Sequence, residues 1–256
     1  MISLCNGWEF SPQWSEDFMK GLAAGEPVRL PHNVKELPLH YAGPEDYEGV
    51  WVYRRRLEIP EEYRGKKLFL QFDGAAHQAW VYVNGCLAGE HHSGYTAFRL
   101  DITELVNYGG ENLVAVKLDS REDGAIPPFG FVIDYLTYGG LYREAWLDVR
   151  EQSYIEDIFV TTPTLTTARV RMKIQGDWEK LRLSILDGNK ELLNVQGGTD
   201  QRLSLPQAEP WDILSPKLYT LRAELLDKEG RSLDSQNVTF GFRTAEFRAE
   251  GFYLNG

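Results

Sequence analysis

Four kinds of side chain in this sequence could do chemistry: acids, imidazoles, thiols and indoles. Two acid pairs stand side by side, Glu61-Glu62 and Glu122-Asp123. Neighbours in an extended chain point to opposite faces, so neither pair can flank one bond, and both read as solvated loop acids. His91 and His92 diverge for the same reason and have no third ligand at a useful spacing, so no metal site is expected. His32 and His77 are expected to be hydrogen-bonded within loops or the core. The only cysteines, Cys5 and Cys86, form no disulfide framework. Two free thiols in a reducing compartment are expected, which fits a cytoplasmic location. There is no phosphate-cradling glycine loop, zinc spacing or nucleophile elbow, and no cofactor is expected. An indole face can pack on the apolar face of a pyranose. Trp51, Trp80 and Trp146 nevertheless lie in strand-like runs and are read as core, while Trp8 and Trp14 are open to either role.

The elements that must position these groups follow a period of two. Leu68, Leu70 and Phe72 alternate with Phe69, Gln71 and Asp73. Trp80 and Tyr82 alternate with Val81 and Val83, and Asn84-Gly85 follows at once, a pair that tolerates the positive φ of a tight hairpin. Leu113 to Leu118, Ala145 to Val149 and Arg169 to Ile174 read the same way. Leu181, Leu183 and Ile185 run into a turn signal at Asp187-Gly188, and Tyr219 to Leu225 into one at Lys228-Glu229-Gly230. Val238, Phe240 and Phe242 form a last face. Phe18 to Leu22 could make one short helical turn. With 43% hydrophobic and 12% aromatic residues, the chain has a globular composition that leans towards strands. The formal net charge of -11 argues against nucleic acid and anionic membrane as partners. No apolar run reaches the roughly 20 residues of a membrane span, and no secretory signal precedes Trp8.

One stretch carries more than a strand pattern. Tyr138-Gly139-Gly140-Leu141-Tyr142-Arg143-Glu144-Ala145-Trp146-Leu147 resembles the Gly-Gly-x-Tyr-Arg signature of glycoside hydrolase family 2, the β-galactosidase and β-glucuronidase family. Other segments follow in that family's order: Leu30-Pro31-His32-Asn33, then Gly49-Val50-Trp51-Val52-Tyr53-Arg54-Arg55, then Val83-Asn84-Gly85. His92 to Phe98, Asp101-Ile102-Thr103 and Val116 to Ser120 continue the series. Trp211-Asp212 with Ser215-Pro216-Lys217-Leu218-Tyr219, Gly241-Phe242-Arg243 and Phe252 to Gly256 complete it. Each segment alone is weak, and the resemblance rests on their shared order and spacing.

The resemblance implies an all-β chain: a jelly-roll, galactose-binding-like sandwich over 1–151, an immunoglobulin-like β-sandwich over 152–247, and a lead over 248–256 into a catalytic barrel that this chain lacks. Family members hydrolyse with retention, using two carboxylates about 5 Å apart. Both lie on the barrel, so no residue here is assigned a catalytic role and the isolated chain is expected to be inactive. By position before the Gly-Gly motif, Asp134 matches an aspartate that binds sugar hydroxyls at the barrel mouth. Asp46 matches a second such position, an Asn or Asp shortly before the Gly-x-x-Trp-Tyr strand. The alternative for Asp134 is a loop acid capping a turn, and for Asp46 the length of the loop leaves the match open. The apolar loop Ile126-Pro127-Pro128-Phe129-Gly130 is expected to help place Asp134, and to be mobile without a barrel to pack on. The implied partners are a β-galactoside or related sugar, the barrel and further copies in a homo-oligomer. The implied activity is that of a β-galactosidase. The same region of a β-glucuronidase and a free-standing carbohydrate-binding module stay open.

Overall fold

The computed structural model describes residues 1–36, 43–127 and 138–256, and divides into two compact units, Met1–Val149 and Arg150–Gly256. The fold is all-β, a jelly-roll sandwich and an immunoglobulin-like sandwich, with one short α-helix, Glu16–Met19, among the described residues. Ser15 caps that helix by accepting a hydrogen bond from the Phe18 amide at 3.3 Å.

Two sheets make the first unit. The larger runs in the order Glu26–Val28, Trp8–Ser11, Val50–Ile59, Gly110–Asp119, Gln78–Val83, Cys86–His92. The smaller runs Ile2–Ser3, Ala145–Arg150, Lys67–Phe72, Phe98–Asp101. Between them lies one apolar core that includes Trp8, Tyr53, Leu68, Leu70, Phe72 and Val116. The Asn84-Gly85 turn forms as its sequence suggests, with φ of +51° and +81°. The reading of Trp80 as core is corrected. Ala79, Val81 and Val83 are the buried set of their strand, and Trp80 and Tyr82 stand half-buried on the outer face. Both alternating sets are apolar, so period alone does not choose the inward one. The smaller side chains fit a space already filled from the opposite sheet.

Of the second unit's sheets, one runs Tyr154–Thr164, Thr167–Gln175, Asp200–Ser204 and the other Lys190–Gly197, Lys180–Asp187, Tyr219–Leu226, Ser232–Phe240. Leu181, Leu183 and Ile185 meet Tyr219, Leu221, Ala223 and Leu225 in its core, the faces their alternation indicated. Asp187 pairs with Lys190, so the two-residue turn centres on Gly188-Asn189, one position later than the sequence suggested. Gly188 supplies the positive φ of +56°. A separate hairpin joins Ala245–Arg248 to Gly251–Leu254. Cys5 is buried and Cys86 exposed, both as free thiols. No helix among the described residues is long and apolar enough to cross a membrane.

Candidate functional site

The Gly139-Gly140 pair lies where three loops of the first unit converge. The Gly139 carbonyl accepts from the Val34 amide at 3.0 Å, and the Gly140 carbonyl from the Ala76 amide at 3.0 Å. Next along, the Leu141 carbonyl accepts from the His32 amide at 2.9 Å, and Leu141 itself is fully buried in the core. Neither glycine has room for a side chain. A Cβ on Gly140, whose φ is +135°, would stand 2.4 Å from the His32 carbonyl oxygen. On Gly139 it would meet the Ser120 side chain and the Tyr47 carbonyl within 3 Å. The motif therefore acts as a backbone clamp that brings the 31–34 loop, the 43–49 loop and the segment at Ala76 together.

Ser120 is the second tie. It is buried at the end of Gly110–Asp119. Its hydroxyl donates to the Tyr47 carbonyl at 2.6 Å. It accepts from the Trp51 Nε1 at 2.7 Å and from the Gly49 amide at 3.1 Å. These bonds hold the short turn Pro44–Asp46 and hence Asp46. One Asp46 oxygen accepts from the Lys35 Nζ at 2.5 Å and the other from the Gly43 amide at 3.1 Å. The Lys35 ammonium, and then the Gly43 amide, hold the Asp46 carboxyl below the usual carboxylate range. It is ionised at neutral pH, and each oxygen keeps a lone pair for a further donor. Beside it opens a groove lined by His32, Asn33, Lys35, Glu36, Glu26 and Tyr138. His32 Nδ1 and the Tyr53 hydroxyl lie 2.9 Å apart at its base. Burial lowers the His32 pKa, against the charge of Glu26, and raises that of Tyr53. A polar floor with the carboxylates of Glu26, Glu36 and Asp46 and the Lys35 ammonium around it can accept and donate hydrogen bonds to hydroxyl groups.

Of the two sequence-indicated sugar contacts, Asp46 is joined to this groove through its ion pair with the lining residue Lys35. Asp134 and most of the loop leading to it lie outside the described residues, so the structure does not bring the two together. Tyr138 marks where that loop returns to the groove. Two residues of the site carried no assigned role in the sequence. Lys35 is eleven positions from Asp46, with no local pattern linking them. Ser120 ends a recognised segment, but its part in holding Trp51 and Tyr47 needs the fold to be seen. Arg143 is exposed and lies over the Tyr142 ring at 5.3 Å, with no carboxylate partner among the described residues. The Arg143 stem instead stacks where Gly74 leaves space. One expectation is corrected: His77 is 2% exposed, and neither ring nitrogen has a hydrogen-bond partner among the described residues. No cluster of His, Cys, Asp and Glu among those residues is placed to hold a metal ion.

Comparison with known proteins gives this geometry a context. Residues 25–150 match the family model described as glycosyl hydrolases family 2, sugar binding domain, and residues 153–243 match that described as glycosyl hydrolases family 2. A β-galactosidase of Thermoanaerobacter pseudethanolicus is 37% identical, over 90% of this chain and 33% of its own length. A β-glucuronidase of Bacteroides fragilis is 31% identical, over 100% of this chain and 39% of its own length. The solved structure of a glycosyl hydrolase family 2 member from Bacteroides cellulosilyticus superposes with a TM-score of 0.82 at 26% identity, over 100% of this chain and 38% of that one. The chain thus spans well under half the length of these relatives. Two successive domain models of a single family cover most of the sequence, and the chain belongs to glycosyl hydrolase family 2.

Proposed function

We propose that this chain is the non-catalytic N-terminal region of a retaining exo-β-glycosidase that removes terminal β-galactosyl groups. Its first unit shapes the subsite for the terminal sugar, and a catalytic barrel supplies both reacting carboxylates. The observation that carries the galactoside reading is the 37% identity to a β-galactosidase, against 31% to a β-glucuronidase. The fixed, ionised Asp46 at the groove supports a sugar-orienting role. A carboxylate accepts hydroxyl protons in a set direction, and its lowered pKa keeps it an acceptor through mildly acid pH. Asp134, in the loop that Tyr138 closes, is the second such acceptor.

The test uses an enzyme of the relatives' length with this region at its N-terminus. Hydrogen bonds to a charged group contribute about 1.5–3 kcal/mol, so Asp134→Ala should lower kcat/KM on a nitrophenyl β-galactoside roughly 10- to 100-fold. Asp46→Asn keeps an acceptor but loses the charge, so its effect should be smaller and largely on KM. An unchanged kcat/KM in both variants would remove the subsite role. A higher kcat/KM on the matching β-glucuronide would replace galactose by glucuronic acid. The 256-residue chain alone should show no turnover above a blank.

A further inference from the structure

A second aromatic surface lies on the outer face of the six-stranded sheet, away from the Asp46 groove. It is built from Trp80 and Tyr82 of Gln78–Val83, Lys117 of Gly110–Asp119, and Trp14 just ahead of the Glu16–Met19 helix. Trp14 is 41% exposed. With Met19, Leu113, Asn84 and Asn107, it and Tyr82 line a groove of about 600 Å³. Leu113 lies six residues before Asp119 on one strand, which at ~3.3 Å per residue puts the groove roughly 20 Å from the strand end that leads into Ser120.

Two observations set this face apart from ordinary packing. Of the five tryptophans in the first unit, three donate their indole N–H to the protein: Trp8 to the Leu4 carbonyl, Trp51 to Ser120 and Trp146 to Asp73. Trp14 and Trp80 make no such bond among the described residues, and both stand where a ligand can reach them. The second observation concerns charge. The other cations on this face are neutralised: Arg54 by Glu9, Arg56 by Glu111 and Lys20 by Glu16. Lys117 has no carboxylate in ion-pair range among the described residues. Its ammonium lies 5.1 Å from the Trp14 ring centroid and 4.8 Å from that of Trp80. The nearest acid along its own strand, Asp119, is held by Arg121 through a two-point pair. Glu90 is the cross-strand neighbour of Trp80 on the side away from Lys117, and lies 3.5 Å from His92 Nε2, a contact that is an ion pair only when that ring is protonated.

From this arrangement we infer a carbohydrate site for an acidic saccharide, one that carries carboxylate or sulfate groups. The exposed Trp14 indole and the half-buried Trp80 and Tyr82 rings offer flat apolar surfaces to the C–H faces of pyranose rings. The unpaired Lys117 ammonium supplies the charge complement, and the rings beside it shield that pairing from water. A neutral saccharide would use the rings alone and leave the cation unmatched. The site goes beyond the proposed glycosidase subsite and does not depend on it. It would tether the protein to a charged polysaccharide at a point remote from the bond being cut.

The test titrates the 256-residue chain, by intrinsic tryptophan fluorescence and calorimetry, with tetragalacturonate and with neutral galactotetraose. The expected result is saturable binding of the acidic tetramer, at least 10-fold tighter than the neutral one, that weakens with added salt. Trp80→Ala should weaken it 10-fold or more. Lys117→Gln should bring the acidic tetramer to the level of the neutral one. Asp46→Ala should leave it unchanged, which separates this site from the glycosidase subsite. Thermal unfolding of each variant controls for folding, and Trp14→Ala, in an exposed residue, stands in should Trp80→Ala fail to fold. No binding, equal binding of both tetramers, or binding that survives both tryptophan changes would overturn the proposal. So would a dimer in light scattering that Trp14→Ala dissolves, because the face would then be an interface between copies.

Discussion

Burial holds the His77 imidazole below the usual histidine range, with the charges of Asp119 and then Glu122 opposing the shift. The folded chain therefore refuses a proton that the unfolded chain accepts near pH 6.5. Stability contributed by this group is complete above that pH, is lost as pH falls below it, and levels off once the folded pKa is passed. The fall through mildly acid pH should be shallower in His77→Leu, read as the unfolding midpoint in denaturant between pH 7.5 and 5. Part of the slope will remain, because burial lowers the pKa of His32 and His91 in the same direction. At neutral pH the same change should cost little, since it removes a buried ring whose nitrogens have no hydrogen-bond partner among the described residues. A variant that keeps the full acid slope would clear His77 of any part in it. Asp46 acts with the same sign in a lower window: its lowered pKa gives stability that is present at neutral pH and is lost only as pH falls through the carboxylate range.

At the level of elements, the Gly139-Gly140 clamp is the point where a single methyl group should do most harm. Gly140→Ala must accept a φ near +135° and push against the His32 backbone oxygen. We expect a loss of about 2 kcal/mol or more, visible in denaturant unfolding. Gly124→Ala, where an added Cβ meets nothing, should cost far less. Equal losses in the two would deny the clamp its role. The contrast also marks what could be read without coordinates. The Gly-Gly pair was visible as a motif, but the reason for it was not, because the His32 carbonyl and Ser120 reach it from distant loops. Strands with one polar and one apolar set, such as Lys180–Asp187 and Tyr219–Leu226, had only one workable orientation, and their inner faces were legible. Gln78–Val83 is apolar on both faces, so its orientation depended on the volume left by the other sheet. Lys35 and Asp46 illustrate the remaining gap. An ion pair across a turn has no periodic trace in the chain.

On the scale of the whole molecule, each of the two units encloses its own apolar cluster, and the clusters share no residue. A core of fifteen buried side chains in the second unit is enough to expect residues 150–256 to fold when expressed alone. A cooperative thermal transition in β-sheet circular dichroism would bear this out. A gradual, structureless melt would show that the unit needs the rest of the chain. The two free cysteines differ in a way that has a practical consequence. Cys5 is enclosed, with its thiol 4.0 Å from the Ala145 carbonyl oxygen. Cys86 is exposed immediately after the Asn84-Gly85 turn, at the rim of the outer aromatic groove. A maleimide fluorophore added to the native chain should couple once per molecule, and at that rim. The wild-type sequence thus carries its own attachment point for an environment-sensitive dye, positioned to report whatever settles beside Tyr82.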